Sequence, residues 1–352
     1  MASGRKLMVA VDDSETSAYA FTWALYNLVR ENDGILVLNV TPSMETDLPT
    51  SDLASDYISL PPASSATELE AFERSVTEES TALVNKYLLQ CAQKNIPCEG
   101  EVVKGDPSSW IVDEADRRYA DIVIVGSHAY GLLKRTLLGS ISDYVLHNAN
   151  CPVAIIRKPQ STQALDSLTP AGLSRKIVIA IDESKETFNA FKWALHNFCR
   201  ESDKIIVYHV HHPTDLPARA VGTGEFGMEE VYMAADVTEE EDVKARNQSE
   251  HLVEKCMQYA SKVTKVKCEG MVVTGPTAQK ICESLQVLQA DAVVVGSHGH
   301  GMIARTFLGS VSDYLSHNSP CPLIVVKLPK EKENDIAKHE EDEKKDTTKY
   351  FE

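Results

Sequence analysis

A glycine-rich segment in the second half of this 352-residue sequence has the spacing of an anion-binding loop. Residues 296–312 read GSHGHGMIARTFLGSVS, the pattern G-x2-G-x9-G-S, and they follow a strongly apolar run. Glycines let backbone N–H groups approach an anion closely, and a helix N-terminus beginning at Gly309-Ser310 suits phosphate. The hydroxyl groups of Ser310 and Ser312 add donors. We therefore predict a phosphate or nucleotide site here.

A copy of this segment lies in the first half and differs at one important position. Residues 126–142 read GSHAYGLLKRTLLGSIS, so Ala129 stands where the later segment has Gly299. A Cβ at this point would crowd a phosphate approaching the backbone and would strain a left-handed conformation. We therefore expect the second half to bind its ligand more tightly than the first.

Matching residues throughout the chain keep one constant separation, which indicates an internal duplication. Trp23-Ala24-Leu25 recurs as Trp193-Ala194-Leu195, and Cys151-Pro152 recurs as Cys321-Pro322, in each case 170 positions later (193 against 23, 321 against 151). We predict one domain over residues 1–159 and a second over 175–330. They are joined by a linker at 160–174 and followed by a charged, disordered tail at 331–352.

Short apolar runs alternate with segments of helical periodicity in both halves. Helix start signals follow the first run at Asp13-Ser14 and at Glu183-Ser184. The predicted strands are Leu7–Val11, Ile35–Val40, Glu101–Val103, Ile122–Val125 and Val153–Ile156, then Ile177–Ile181, Ile205–Val210, Met271–Val273, Ala292–Val295 and Leu323–Val326. This alternation indicates an α/β fold of two tandem Rossmann-like domains, each a parallel five-stranded sheet covered by helices on both faces.

The position of the glycine-rich segments in such a sheet predicts where a ligand would bind. With the strand order 3-2-1-4-5, ligands bind beyond the carboxyl ends of the strands where the order reverses. Asp12 and Asp182 end the first strand of each half, so they should face the same crevice as the glycines. We also expect the final strands to pair as an intrachain pseudo-dimer, because apolar sheet edges invite pairing. Further homo-oligomers are compatible with this expectation.

Charge and composition exclude several classes of partner. The formal net charge of −17 opposes sequence-independent binding to nucleic acid and to anionic membranes. The eight cysteines form no C-x-x-C pair, so we expect reduced, mostly buried thiols in a cytoplasmic protein. No apolar run reaches the roughly 20 residues that a membrane helix needs.

These motifs resemble the universal stress protein family, in particular its ATP-binding type, and the resemblance covers both repeats. It implies an adenine nucleotide alpha hydrolase-like fold that binds ATP or AMP, with Mg²⁺ on the phosphates. Asp182 would face the adenine, and the backbone of Val210 would contact the base. The remaining site residues implied for the second repeat are Gly296, His298, Gly299, Gly309, Ser310, Val311 and Ser312. Those implied for the first are Asp12, Val40, Gly126, His128, Gly139, Ser140, Ile141 and Ser142.

Three functions remain open from the sequence. A nucleotide-binding regulatory protein of the stress response leads, followed by a slow ATPase or nucleotidyl-transfer relative, and by an interaction scaffold with unused sites. No nucleophile with an orienting base is evident around His128 or His298, so we expect little or no turnover. We expect His209, His211 and His212 to lie in a solvated loop after the second strand.

Overall fold

The structure is a computed structural model that describes residues 4–41, 66–127, 138–158, 174–211, 239–297 and 308–327. Within these ranges the first repeat contains β1 (Lys6–Ala10), α1 (Glu15–Asn27), β2 (Gly34–Thr41), α2 (Ala66–Gln93), β3 (Cys98–Lys104), α3 (Pro107–Arg118), β4 (Ile122–Gly126), α4 (Ser140–Asn148) and β5 (Val153–Ile156). The second contains β6 (Lys176–Ala180), α5 (Lys185–Asn197), β7 (Lys204–His211), α6 (Glu239–Val263), β8 (Lys267–Thr274), α7 (Thr277–Leu288), β9 (Ala292–Gly296), α8 (Ser310–Asn318) and β10 (Leu323–Val326).

Each repeat is a parallel sheet in the predicted order. The first strand pairs in parallel with both the second and the fourth, so the strand order reverses beside it in each repeat. Ser14 and Ser184 cap the helices that follow, each accepting a hydrogen bond from the backbone N–H three residues on. In each repeat, the carboxyl end of the first strand therefore lies next to a capped helix N-terminus. This is also the place where the strand order reverses.

The two sheets join into one ten-stranded sheet, which confirms the predicted pairing of the final strands. β5 and β10 run antiparallel, with Ile324 opposite Ala154, and both strands are fully buried. The complete order is β3-β2-β1-β4-β5-β10-β9-β6-β7-β8. Because the seam occupies the sheet centre, the apolar layers above and below the sheet each draw residues from both repeats.

The outermost strands are longer than the sequence predicts. β3 and β8 cover Cys98–Lys104 and Lys267–Thr274, whereas the predicted strands span three residues each. Their flanking residues are polar and partly exposed because one edge and part of one face meet solvent. A strand of this kind has no continuous apolar run, so its ends are invisible to a search for buried strands.

Arginines join the two repeats beside the sheet in a reciprocal pattern. Arg5 donates to the carbonyl of Asn197, and Arg175, its counterpart 170 residues later, donates to the carbonyl of Asn27 over 3.0 Å. Each arginine also pairs with an aspartate of its own repeat, and the Arg175–Asp203 pair is almost completely buried. Helix C-termini leave carbonyls without intrahelical partners, so cations there both fill the vacant bonds and favour the helix dipole.

Several expectations concern other parts of the chain or the chain as a whole. The linker and the charged tail lie outside the described residues, apart from residue 174. All eight cysteines are described as free thiols, and five of them are buried. Within the described ranges, no helix combines the length and the apolar character required to span a membrane.

Candidate nucleotide site

A cavity of about 450 Å³ lies at the carboxyl edge of the sheet in the second repeat. The ends of β6, β7 and β9 form its floor, and the first turn of α8 forms part of its wall. It is the place where the strand order reverses, as the fold predicts for a ligand site. The predicted site residues that line it are Asp182, Val210, Gly296, Gly309, Ser310, Val311 and Ser312.

Asp182 is held by the start of the helix that follows it. One carboxylate oxygen, Oδ1, accepts hydrogen bonds from the backbone N–H of Ser184 at 2.8 Å and from Thr187 Oγ1 at 2.6 Å. Thr187 also accepts from the Asp182 backbone N–H at 3.1 Å. These bonds fix the carboxylate and leave Oδ2 as the oxygen with capacity for a ligand donor in the cavity.

The first turn of α8 supplies donors to the same space. Gly309 is its N-cap residue, and within the described ranges no side chain caps this helix end. The first backbone N–H groups of a helix have no intrahelical partner, so those of Ser310 and Val311 are suited to an anion. The Gly309 N–H donates to the carbonyl of Ser297 at 2.8 Å, which holds the end of the preceding loop against β9.

The Ser312 hydroxyl makes backbone contacts within the turn into α8. It donates to the carbonyls of Gly309 at 2.8 Å and Ser297 at 3.2 Å, and the side chain is buried. These hydrogen bonds stabilise the turn into α8, and they occupy the hydroxyl proton of Ser312. Ser310 is exposed at the helix start, so its hydroxyl fits the predicted role of a phosphate donor.

The prediction of a solvated loop at His209 and His211 is wrong. Both residues belong to β7, both are buried, and both line the cavity. Nδ1 of His209 lies 2.9 Å from the carbonyl of Ile181, which can only accept, so this nitrogen carries a proton. In the neutral ring Nε2 is then an acceptor. β7 continues past Val210 to His211. Successive side chains of a strand alternate between its two faces, and the polar imidazoles of His209 and His211 hid this strand pattern in the sequence. His212 lies outside the described residues.

Residues from α6 and α7 complete the described lining of the cavity. Gln248 and Ser249 reach it from α6, and Thr277 reaches it from the start of α7. Sequence reasoning missed them because they lie far from the glycine motif along the chain. The position of Thr277 in the chain could have identified it. Thr277 begins the helix after the third strand, and the carboxyl end of that strand lies at the same edge of the sheet as the glycine motif.

Gly296 has a packing reason to be glycine. A Cβ added here would lie 3.2 Å from Thr187 Cγ2 and 3.3 Å from its Cα, so α5 would have to move. Gly126 meets Thr16 in the same way in the first repeat. Both glycines therefore bring the first helix of the repeat close to the end of the fourth strand, which sets the shape of the crevice.

The first repeat places its predicted residues at equivalent points. Asp12 accepts from the Ser14 backbone N–H at 3.0 Å, and burial raises the pKa of its carboxyl group above the ordinary range. The Ser142 hydroxyl donates to the carbonyl of Gly126 at 2.6 Å, so it too is committed. Gly139 is the uncapped start of α4, and it is followed by Ser140 and Ile141. Val40 lies near the carboxyl end of β2.

Asn39 marks a gap in the hydrogen bonding of the first repeat. Its Nδ2 donates to the carbonyl of Val11 at 2.7 Å, as His209 Nδ1 does to that of Ile181. Its Oδ1 is buried and is the one such side-chain atom without a partner in the described part of the chain. An unsatisfied buried acceptor costs free energy, about 1–3 kcal/mol, which a ligand N–H would recover.

Three predicted site residues lie outside the described residues: His128, His298 and Gly299. The same holds for Ala129, on which the expected difference between the repeats depends. The ends of both loops are described, and they are held alike, because Gly139 donates to the carbonyl of Ser127 just as Gly309 donates to that of Ser297.

Comparison with known proteins identifies the family. The model of the universal stress protein family matches residues 4–157 and again residues 174–327. The chain therefore belongs to the universal stress protein family and carries two of its domains in tandem. A universal stress protein of Mycolicibacterium smegmatis is 26% identical over 324 residues, which cover 91% of this chain and 96% of that protein.

The same fold is seen in a solved structure that spans both repeats. A universal stress protein from Archaeoglobus fulgidus covers 93% of this chain and 99% of its own, with 19% identity and a TM-score of 0.57. A universal stress protein family protein from Arabidopsis thaliana was solved with AMP bound. It covers 48% of this chain and 97% of its own, with 24% identity and a TM-score of 0.32.

Proposed function

We propose that the second repeat binds an adenine nucleotide, ATP or AMP, and that the protein is a nucleotide-binding regulatory module of the stress response. The observation that carries the proposal is the cavity between Asp182, Val210 and the uncapped first turn of α8. It offers a carboxylate acceptor at one side and a row of backbone N–H donors at another. An adenine nucleotide needs both, since the amino group of its base donates hydrogen bonds and its phosphates accept them.

The adenine assignment comes from the motif, and the polarity of the cavity supports it. The amino group of adenine is a donor, and the acceptors available are Asp182 Oδ2 and, in its neutral form, His209 Nε2. The phosphates would lie at the N–H groups of Ser310 and Val311, where the helix dipole favours negative charge. Mg²⁺ would accompany the phosphates of ATP, and Asp182 Oδ2 would be engaged by the base instead of the metal.

The first repeat is proposed as a weaker site for the same ligand. It retains the aspartate, the uncapped helix start and the loop closure, but it has Ala129 in the phosphate loop. The unpartnered Oδ1 of Asn39 favours a ligand with an N–H group in this repeat as well. The whole chain would then hold two nucleotides of unequal affinity.

Calorimetric titration of the full chain with ATP and AMP tests the proposal, using Gly309→Asp and the matched Gly139→Asp. Gly309 has φ −67° and ψ 149°, the ordinary N-cap conformation, so an aspartate there would cap α8 and fill the phosphate position. We expect Gly309→Asp to weaken the tighter binding by about 100-fold or more, which is about 2.7 kcal/mol. Gly139→Asp should leave the tighter binding unchanged.

Two results would contradict the proposal. One is an absence of ATP and AMP binding by the wild-type chain, which would favour an interaction scaffold. The other is tight binding that survives Gly309→Asp, which would place the nucleotide elsewhere. Hydrolysis of ATP at about one per second or faster, abolished by Gly309→Asp, would instead show an enzyme active at this site.

A further inference from the structure

Two aspartates and two histidines of α4 and α8 meet where the repeats face each other. Asp143 and His147 stand one turn apart on α4, and Asp313 and His317 stand one turn apart on α8. Oδ1 of Asp313 lies 3.9 Å from His147 Nε2 and 4.0 Å from His317 Nε2. Oδ1 of Asp143 lies 3.9 Å from His317 Nε2, so each aspartate contacts a histidine of the other repeat.

We propose that this cluster binds one divalent transition metal ion, best exemplified by Zn²⁺, and that the ion links the two repeats. Asp143, Asp313 and His317 each offer a ligand atom, and these atoms all lie within 4.8 Å of one another. His147 would supply the fourth ligand, because its Nε2 lies 3.9 Å from Asp313 Oδ1. Imidazole nitrogen and carboxylate oxygen are established zinc ligands, and four of them make a complete tetrahedral site.

The spacing needs a modest adjustment. Zinc–ligand bonds of 2.0–2.2 Å place tetrahedral ligand atoms about 3.3–3.6 Å apart. The Nε2 atoms of His147 and His317 lie 3.9–4.0 Å from the aspartate oxygens, and the ligand atoms of Asp143, Asp313 and His317 lie within 4.8 Å of one another. Movements of about half an ångström to about 1.2 Å would therefore close the site. All four side chains are about one-third to one-half exposed, which allows both this adjustment and access of the ion.

The orientation of one histidine is already that of a ligand. His147 Nδ1 lies 2.8 Å from the carbonyl of Asp143, which can only accept a proton. That hydrogen bond places the ring proton on Nδ1. The lone pair of Nε2, the nitrogen nearer Asp313, is then free to bind a metal ion. His317 must exchange a contact, because the Leu138 N–H approaches its Nδ1 at 3.4 Å, near the limit for a hydrogen bond.

The two helices are held in place by contacts that cross between the repeats. Arg157 donates to the carbonyl of Ser316 at the end of α8, and Lys327 donates to that of Ala149 after α4 over 2.9 Å. These contacts join the ends of the helices that carry the four side chains. A metal ion would therefore bind to a largely preformed site, and it would bind the folded chain alone and so stabilise it.

Metal titration of the nucleotide-free full chain tests this proposal. We expect one Zn²⁺ per chain to bind to this cluster, and Co²⁺ to give the visible absorption of a tetrahedral site without a thiolate charge-transfer band. His147→Ala combined with His317→Ala should weaken Zn²⁺ binding by at least about 100-fold and remove the Co²⁺ bands. His251→Ala changes an exposed histidine of α6 and should alter neither.

Two further variants test whether the metal binds at this cluster and not elsewhere on the chain. Asp313→Asn alone, a change of one atom, should also weaken binding, which guards against a folding defect in the double variant. Binding should persist in Gly309→Asp, because the cluster does not depend on the proposed nucleotide. The proposal is overturned if wild type and double variant bind Zn²⁺ equally, or if cobalt binds through thiolate. It is also overturned if wild type takes up no metal and the histidines affect only acid stability.

Discussion

Asn39 in the first repeat and His209 in the second occupy the same position on the strand beside the crevice. Each donates to the backbone carbonyl that precedes the site aspartate, and each has a second polar side-chain atom. In Asn39 that atom is a buried amide oxygen without a partner; in His209 it is the ring nitrogen Nε2. The duplicated backbone thus presents an amide acceptor in one repeat and an imidazole in the other.

The two repeats also differ in other side chains around the crevice, while their backbone features are the same. Thr277 contacts the cavity at the position where the first repeat has Pro107, which has no N–H and no hydroxyl to offer. Backbone features, in contrast, are kept, since both repeats have an uncapped helix start and the same loop closure. Duplication has therefore preserved the proposed phosphate position and varied the surroundings of the proposed base position. The predictions below compare matched positions of the two repeats.

The largest expected effect concerns the arginines that join the repeats. Arg175→Ala should lower the free energy of unfolding by about 3–5 kcal/mol, because it leaves the buried Asp203 carboxylate without its cation. Arg5→Ala should cost less, about 2–3 kcal/mol, since Arg5 is 15% exposed against 3% for Arg175. Urea denaturation measures both. Equal losses, or a loss below about 1 kcal/mol for Arg175→Ala, would show that these ion pairs contribute little.

The second prediction exchanges the residues that distinguish the phosphate loops. Gly299→Ala should weaken nucleotide binding in the second repeat about tenfold, and Ala129→Gly should strengthen it in the first by a similar factor. The halves share one sheet, so separated halves would expose β5 or β10. Calorimetry should therefore use the full chain, with the other site blocked by Gly139→Asp or Gly309→Asp. If both exchanges leave affinity unchanged, the glycine shapes the loop without affecting the ligand.

The smallest expected effect is the pH dependence associated with Asp12. Burial raises the pKa of this carboxyl group in the folded chain, so folding favours its protonated form. Its contribution to stability is present below the unfolded pKa, near 3.9, and is lost as pH rises through the folded value. Asp12→Asn should therefore raise the melting temperature slightly at neutral pH and lose that advantage in acid. Asp13→Asn, an exposed neighbour, is the control; identical profiles for the two variants would contradict the assignment.

The fold was predictable from the sequence because its main signals are local and repeated. Buried parallel strands such as β4 and β9 appear as continuous apolar runs, and the constant offset extends each assignment to the other half. Pairing of β5 with β10 followed from their apolar character at a predicted sheet edge. The edge strands β3 and β8 were predicted short, since half-exposed strands alternate polar with apolar residues.

The site was predictable where backbone chemistry defines it and less so where tertiary packing does. Glycine spacing identified the helix start at Gly309, and strand order brought Asp182 beside it. The commitment of the Ser312 hydroxyl to backbone carbonyls depends on the turn into α8, which composition does not reveal. The cluster of Asp143 and His317 depends on how two helices 170 residues apart pack across the seam. No local pattern contains that information.

A crystal structure of the full chain with a non-hydrolysable ATP analogue tests the central claim most directly. We expect the base to lie beside Val210 and Asp182 in the second repeat. The phosphates should lie within hydrogen-bond distance of the backbone N–H groups of Ser310 and Val311. A nucleotide that binds in solution but is seen outside this cavity, or in the first repeat alone, would contradict the account.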